Sequence, residues 1–251
     1  MITQEILNSV RNAVCAVGCL VVPLTEYVQQ LDSPDFKVVG TGFLVRPTTV
    51  LTNKHVLTAL LALQADLGIP DSQLFLSFVV PSSEGKLRII PRMIRRVGPL
   101  PAVDIAFLEF QLQPAQHFEN VIALEVANQW GVLVSEDVCI FGYPYGNAIL
   151  EKDGKVARWG PVLQQGHVSA ISPFDTVNPP DEILLDVRTA PGMSGAPVFR
   201  PSTGIVIAVH YQGLSESGGK ATTAFAIPMT AHTLASWLSE YASVATDLKN
   251  H

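Results

Sequence analysis

Charged residues are scarce in this sequence, and their scarcity limits the partners it could bind. Lys, Arg, Asp and Glu make up 15% of the 251 residues, and the formal net charge is −6. Nucleic acid is held mainly by clustered Lys and Arg, so a sparsely charged, acidic chain argues against a nucleic-acid partner. The one basic segment, residues 86–96, is interpreted as the solvated face of a strand.

Cysteine is also scarce, since the chain contains only Cys15, Cys19 and Cys139. Three cysteines do not make a disulfide framework. The first two fall in one predicted strand, where about 3.3 Å per residue puts them roughly 13 Å apart, too far for a disulfide. Unpaired thiols are typical of a reducing compartment, so the sequence predicts a cytoplasmic protein.

Apolar runs long enough to cross a membrane are absent. The apolar stretch at residues 13–24 is shorter than the roughly 20 residues that a transmembrane helix needs. It is preceded by Glu5 and followed by no small-residue cleavage site, and these are not the flanks of a secretory signal. We therefore expect the segment to be retained in the folded chain, and we expect no membrane partner.

What the chain does contain is apolar sequence divided by turns. Hydrophobic residues make up 48%, and 18 glycines and 18 prolines separate runs rich in Val, Ile and Thr, which favours many short strands. Two sets of six strands are predicted. The first covers residues 14–22, 38–45, 49–52, 74–80, 87–97 and 105–110, and the second covers residues 132–142, 162–172, 182–187, 196–200, 204–212 and 222–227.

This pattern predicts an all-β fold of two six-stranded antiparallel barrels within a single domain, residues 1–251. Helical periodicity predicts a short helix over residues 2–12 and another at the C-terminus. The predicted parts are a first barrel over 14–110, a connector over 111–131, a second barrel over 132–228 and the C-terminal helix over 229–248.

The stretch TAPGMSGAPVF, residues 189–199, places Ser194 between Gly192 and Gly195, just before an apolar run. Two interpretations fit: a tight turn leading into a strand, or a turn that presents a nucleophile. A serine hydroxyl is a weak nucleophile near neutral pH and needs an adjacent base that a third group orients. The second interpretation therefore depends on whether the chain supplies those two groups.

Candidates for both groups lie in the first predicted barrel. His55 follows the strand at 49–52 and opens a short helix, so its imidazole can face a cleft; a capping or buried histidine is the plainer interpretation. Asp104 comes just before a largely apolar strand, where a carboxylate is costly unless it is paired, and His55 is the natural partner. The plainer interpretation of Asp104 is a residue that starts a turn.

The order His55, Asp104, Ser194 and the sequence around these residues resemble the trypsin/chymotrypsin-fold serine peptidases, above all their bacterial trypsin-like branch, which includes the HtrA proteases. The matching segments are GTGFLV (40–45), LTNKHV (51–56), DIAFLEF (104–110), FGYPYG (141–146), GHVSAI (166–171), PGMSGAPVF (191–199) and AFAIP (224–228). The resemblance covers roughly residues 14–230 and implies a chymotrypsin-like pair of barrels.

The resemblance implies a serine endopeptidase that acts on a protein or peptide through an acyl-enzyme. Ser194 would be the nucleophile, His55 the general base and Asp104 the residue that orients His55. The backbone amides of Gly192 and Ser194 would form the oxyanion hole, a role that suits a glycine two residues before the nucleophile. No CxxC pair or HExxH motif occurs, so we expect no metal or other cofactor.

Two departures from those relatives bear on regulation. The sequence shows no PDZ-like domain after the protease unit, so peptide-gated regulation is not implied. Met193 stands before the nucleophile, where secreted trypsin-type enzymes have an aspartate that pairs with a new amino terminus and HtrA-type enzymes usually have asparagine. We expect the oxyanion loop to be held by packing and to respond to a regulatory protein partner. The alternative function is a catalytically silent protease fold that binds a peptide or protein.

The strand at residues 205–213 is predicted to line the pocket for the substrate's P1 side chain. It resembles a segment of the glutamyl endopeptidases, which implies substrate-binding roles for Thr189, His210, Tyr211 and Gln212. An imidazole and a hydroxyl can bind a carboxylate or carboxamide, so Glu or Gln is one expected P1 residue. A small P1 residue is the other expectation, because Gln212 replaces a glycine that would leave the pocket mouth open. The plainer interpretation of His210 is a core histidine.

Overall fold

The computed structural model describes residues 2–26, 35–81, 87–111, 122–144, 150–152, 155–157, 161–173, 180–215 and 221–249. Over these residues strands dominate, and each of two groups of strands closes into a barrel. Residues 112–121, about half of the predicted connector, lie outside these ranges.

The first barrel is built from six antiparallel strands. They are β1 (Val14–Leu20), β2 (Phe36–Arg46), β3 (Thr49–Thr52), β4 (Leu74–Pro81), β5 (Leu87–Pro99) and β6 (Ala106–Phe110). Their order is β5-β4-β1-β2-β3-β6, and pairing of β5 with β6 closes the barrel. Helix α1 (Gln4–Ala13) precedes β1, and helix α2 (Lys54–Leu67) connects β3 to β4.

The second barrel is also closed and antiparallel. Its strands are β7 (Asp137–Gly142), β10 (Val162–Ser172), β11 (Glu182–Leu185), β12 (Pro197–Phe199), β13 (Val206–Ser215) and β14 (Ala221–Pro228), in the order β10-β11-β14-β13-β12-β7. A separate hairpin, β8 (Leu150–Lys152) and β9 (Lys155–Ala157), follows β7. Helix α3 (Ala231–Val244) and the short strand β15 (Thr246–Asp247) complete the described chain.

The prediction of two six-stranded antiparallel barrels is confirmed, and three local details differ from it. The C-terminal helix ends at Val244 and not at residue 248, because residues 246–247 pair with β5. Helix α2 has 14 residues, because its Leu- and Ala-rich sequence continues the helix until Gly68 ends it with a φ of 63°. The β8–β9 hairpin was not predicted. None of the described helices is long and apolar enough to cross a membrane.

The buried side chains form two clusters that differ in aromatic content. One is centred on the first barrel and includes its four fully buried phenylalanines: Phe43, Phe75, Phe78 and Phe107. The other consists of Ala, Val, Ile and Leu side chains together with Met193, and none of its buried members that the structure describes is aromatic. The residue before the candidate nucleophile thus belongs to an aliphatic cluster.

Candidate active site

Ser194 lies on a tight turn just before β12, and its side chain is half-buried. Gly192 and Gly195 have φ values of 97° and 86°, in the left-handed region that favours glycine. Gly195 is also required for space, since a Cβ there would lie 2.0 Å from the carbonyl oxygen of Thr41. The stretch is therefore a turn into a strand, and the same turn leaves the Ser194 side chain partly open to solvent.

His55 and Asp104 contact each other directly. His55 lies in the first turn of α2, and its Nδ1 is 2.6 Å from Oδ2 of Asp104, which comes just before β6. The backbone amide of His55 donates to the other carboxylate oxygen at 3.0 Å. The side chains are 48% and 29% exposed, so His55 is not a core histidine. Asn53 adds a third bond, from Nδ2 to the Asp104 carbonyl at 2.9 Å.

These contacts determine which imidazole nitrogen is available for proton transfer. A carboxylate only accepts hydrogen bonds, so Nδ1 of His55 carries the proton that faces Asp104. In the neutral ring Nε2 then has the free lone pair, which is the form that a general base requires. The second bond, from the His55 amide, fixes the carboxylate in the plane where it can hold that tautomer.

Strand β2 joins the histidine and the serine. The Thr41 amide donates to the carbonyl of Ser194 at 2.9 Å. Beside it, a Cβ on Gly40 would lie 2.6 Å from a methyl of Val56, the residue after His55, and 3.2 Å from the carbonyl oxygen of Ser194. The start of α2 and the serine turn therefore pack against the same two residues of β2.

The Ser194 hydroxyl has a partner other than histidine. Its Oγ donates to the carbonyl oxygen of Tyr211 at 3.2 Å. A hydroxyl has one proton to donate, so this arrangement does not share it with His55. The bond to Tyr211 has to be exchanged for one to the imidazole before His55 can accept this proton, and catalytic hydrogen bonds are often loose when no substrate is bound.

The backbone amides around Ser194 divide into two kinds. Those of Met193 and Gly195 donate to backbone carbonyls, at 3.1 and 2.8 Å. Those of Gly192 and Ser194 donate to no acceptor within the part of the chain that the structure describes. Two amides of the serine turn, one residue apart, are therefore available as hydrogen-bond donors.

The loop that carries these amides is held without a charged residue. The Met193 side chain is 1% exposed and belongs to the second core cluster. The Gly192 carbonyl accepts a 2.7 Å hydrogen bond from Oγ1 of Thr41. Sequence reasoning did not identify Thr41 or Asn53. The available signals were a buried threonine between two glycines in GTGFLV, and an asparagine at the N-cap of the helix that carries His55.

His210 is the buried polar residue of the predicted pocket strand, β13. It is 2% exposed, and its Nδ1 lies 3.1 Å from the carbonyl oxygen of Phe225 on β14. Burial lowers its pKa to about 4, against the smaller opposing effect of that carbonyl. A carbonyl only accepts, so the neutral ring has its proton on Nδ1, and Nε2 is left as an acceptor with no partner among the described residues.

The other three predicted pocket residues differ from one another in exposure and contacts. Thr189 is buried, whereas Gln212 is exposed at the protein surface. Tyr211 is half-buried, and its hydroxyl donates to the carboxylate of Glu182. Burial, and then this carboxylate, raise the pKa of Tyr211. In the described ranges no group of three His, Cys, Asp or Glu side chains is arranged to hold a metal ion.

Comparison with known proteins identifies the family of this fold and site. A family model described as a trypsin-like peptidase domain matches residues 40–209. Among curated proteins, the probable periplasmic serine endoprotease DegP-like of Pseudomonas fulva is 26% identical over 192 residues, covering 76% of this chain and 32% of that protein. The chain thus spans about a third of the length of this curated relative.

Solved structures of bacterial proteases share the fold. The HtrA-type protease AlgW with a decapeptide has a TM-score of 0.59 at 20% identity. The match covers 94% of this chain and 66% of the AlgW chain. The Rv3671c protease of M. tuberculosis in its active form has a TM-score of 0.57 at 19% identity, covering 98% and 87%. An inactive form of Rv3671c scores 0.56, so overall similarity does not separate active from inactive arrangements.

The prediction of a cytoplasmic protein is wrong by this comparison, because the curated relative is periplasmic. The inference from cysteine failed for a physical reason. Cys15, Cys19 and Cys139 are all buried, and burial raises the pKa of each thiol. A buried thiol of raised pKa is a poor partner for disulfide exchange in any compartment, so its unpaired state does not indicate a reducing one.

Proposed function

Because the chain belongs to the trypsin-like peptidase domain family, we propose that it is a serine endopeptidase that cleaves protein or peptide substrates through an acyl-enzyme. The observation that carries the proposal is the doubly bonded pair of His55 and Asp104. Structural ion pairs also occur between His and Asp. Here the pair is partly exposed, and Gly40 of β2 packs against both Val56, the residue after His55, and the carbonyl of Ser194.

In the proposed reaction, Nε2 of His55 accepts the hydroxyl proton as Ser194 Oγ attacks the scissile carbonyl carbon. The tetrahedral intermediate then collapses: the C–N bond breaks, and the leaving amine takes the proton from His55. A water molecule, deprotonated by the same nitrogen, attacks the acyl-enzyme and releases the new carboxyl terminus, returning the proton to Ser194. Asp104 stays ionised throughout and stabilises the imidazolium that forms in each half of the reaction.

The amides of Gly192 and Ser194 are proposed to stabilise the negative oxygen of both tetrahedral intermediates. Their lack of partners in the described structure supports this role, because an oxyanion then displaces no existing protein hydrogen bond. Removal of one such donor from serine proteases lowers kcat by about 100- to 1,000-fold. The resting bond from Ser194 to Tyr211 would be exchanged for a bond to His55 when substrate binds.

The pocket lined by Thr189, His210, Tyr211 and Gln212 is proposed to accept Glu, Gln or a small residue at P1. The tautomer of His210 favours Gln within this set. With its proton donated to the Phe225 carbonyl, the ring presents an acceptor, which a carboxamide can donate to and a carboxylate cannot. Binding of a P1 carboxylate would require His210 to take up a proton, which its lowered pKa of about 4 opposes at neutral pH.

A catalytically silent module that binds a peptide or protein partner is the second candidate function. The observation that favours it is the bond from Ser194 Oγ to Tyr211, in which the hydroxyl proton is donated to a backbone carbonyl. The two candidate functions are compatible if a regulatory protein partner breaks the bond between Ser194 and Tyr211. We propose that the enzyme is regulated in this way. The AlgW structure contains a decapeptide, and by analogy peptides are the ligands to test first.

A fluorophosphonate probe separates the two candidates, because it reacts only with an activated serine. We expect labelling of the folded protein at Ser194, located by peptide mass spectrometry, and its loss in Ser194→Ala and His55→Ala. A library of peptides varied at P1 then gives the ratio of kcat/KM for Gln over Glu. Absence of labelling, both alone and with candidate peptides or partners, would establish the silent module instead.

A further inference from the structure

The loop before Ser194 poses a question that packing alone does not answer. Met193 is 1% exposed among small apolar side chains, and apolar contacts do not depend on which way a neighbouring peptide points. Gly192, with a φ of 97°, has the wide conformational freedom of glycine. Directional contacts are therefore needed to select one orientation of the Gly192–Met193 peptide. One of them lies within the loop, since the Met193 amide donates to the Ala190 carbonyl at 3.1 Å, and the other reaches the Gly192 carbonyl from the first barrel.

Thr41 supplies a directional contact to that peptide. Its side chain lies on β2 of the first barrel and is fully buried. Oγ1 is 2.7 Å from the Gly192 carbonyl oxygen and 2.9 Å from the backbone nitrogen of Tyr143. The Tyr143 amide can only donate, so the single hydroxyl proton must go to Gly192. Both hydrogen bonds thus have a fixed direction.

The threonine itself is held firmly. Its amide donates to the carbonyl of Ser194 at 2.9 Å, and its own carbonyl accepts from Oγ1 of Thr52 at 2.7 Å. Gly142, at the end of β7, leaves room for the hydroxyl, since a Cβ there would lie 2.8 Å from Oγ1 of Thr41. Strand β2, the end of β7 and the serine turn therefore meet at this one side chain.

We propose that Thr41 is a positioning residue that takes the place of a charged tether for the oxyanion loop. This inference rests on the proposed function. The clamped peptide, Gly192–Met193, lies between the peptide that carries the Gly192 amide and the one that carries the Ser194 amide. Fixing the carbonyl of the central peptide limits rotation of both neighbours, and keeps both amides directed at the substrate oxygen. Through Thr41, the first barrel thereby determines the orientation of the Gly192 and Ser194 amides in the second barrel.

The test compares Thr41→Val, which removes the hydroxyl at nearly constant shape, with Thr41→Ser, which keeps it. Thr230→Val is the matched control, because it also removes a buried, hydrogen-bonded hydroxyl, but one that caps α3 and has no contact with Thr41 or Gly192. We expect Thr41→Val to lower kcat about ten- to hundredfold with KM changed less than about threefold. Thr41→Ser and Thr230→Val should stay within about threefold of the parent kcat.

A second measurement does not depend on catalysis. In ¹H–¹⁵N NMR spectra, Thr41→Val should shift or broaden the amide signals of Gly192, Met193 and Ser194, and Thr230→Val should leave them in place. Unchanged signals in Thr41→Val, or a kcat equal to that of Thr230→Val, would overturn the role of Thr41. An inactive parent protein that fails to react with fluorophosphonate would refute the proposed function alone, since the NMR comparison still decides the role of Thr41.

Discussion

The two barrels hold their parts of the candidate site in different ways. His55 and Asp104, both in the first barrel, are joined by two hydrogen bonds of 2.6 and 3.0 Å. In the second, Ser194 and Gly192 are both bonded to Thr41, which belongs to the first barrel. The proposed base is therefore held within one barrel, whereas the turn of the proposed nucleophile is bonded to both, since Gly195 also donates to the carbonyl of His210.

The packing around the two parts of the site also differs. Four fully buried phenylalanines lie in the first barrel, whereas the core cluster that contains Met193 is aliphatic. Aromatic side chains bury about 150–250 Å² each and have strong shape preferences, so they define a core closely. Aliphatic packing around a flexible methionine is less restrictive, so we expect hydrogen bonds to contribute more to the orientation of this loop.

The largest expected effect is a loss of stability when a glycine of positive φ is replaced. Gly195, in the serine turn, is compared with Gly68, at the end of α2. Gly195→Ala should cost about 3–5 kcal/mol, because it combines a φ of 86° with a Cβ 2.0 Å from the Thr41 carbonyl oxygen. Gly68→Ala, with a φ of 63° and open space at its Cβ, should cost only about 1 kcal/mol. Urea unfolding measures both. Equal losses of stability in the two variants would show that the contact between Thr41 and the serine turn adjusts to the added methyl group, and therefore does not hold the turn tightly.

The next largest expected effect is a loss of stability at low pH, caused by one of the two site histidines. His55 is half-exposed, whereas His210 is buried. Burial lowers the pKa of His210 from 6.5 to about 4, so between these values the unfolded chain binds a proton that the folded protein does not. Stability should therefore fall as the pH drops from 6.5 to 4, by about 3 kcal/mol from this residue.

The measurement is the free energy of unfolding in urea at pH 7 and pH 4.5. His210→Gln should remove most of the acid-induced loss that this residue causes, while the exposed His232 on α3 provides the control substitution. A loss of the same size in His210→Gln and in the parent would mean that other groups cause the acid sensitivity. It would also weaken the argument that His210 is neutral when substrate binds.

Much of the fold was accessible from sequence because barrel strands are local patterns. Strand β10 was predicted over residues 162–172 and begins and ends at those residues, since turn residues flank an alternating sequence. Pairing of His55 with Asp104 was accessible for an energetic reason, as a carboxylate next to an apolar strand needs a partner. Both inferences require only neighbouring residues and one long-range contact.

The parts that sequence did not predict depend on contacts far apart in the chain. The bond from Thr41 to Gly192 joins residues 151 positions apart, and nothing local to either residue indicates it. The same holds for the resting bond of Ser194 to Tyr211, which is set by the register of β13 against the serine turn. Residues 246–247 fall within the predicted C-terminal helix but form strand β15, because two residues that pair with β5 have no periodicity of their own.

The smallest expected effect tests whether Met193 acts through anything beyond packing. Met193→Leu conserves volume in the second core and should cost less than about 1.5 kcal/mol, with kcat within about twofold of the parent, because the hydrogen bond from Thr41 keeps the peptide in place. Met229→Leu is the matched control, since Met229 is also fully buried but lies away from the serine turn. If Met193→Leu lowered kcat well below Met229→Leu at equal stability, the methionine side chain would itself orient the amides, and the second barrel would depend less on the first than the hydrogen bonds imply.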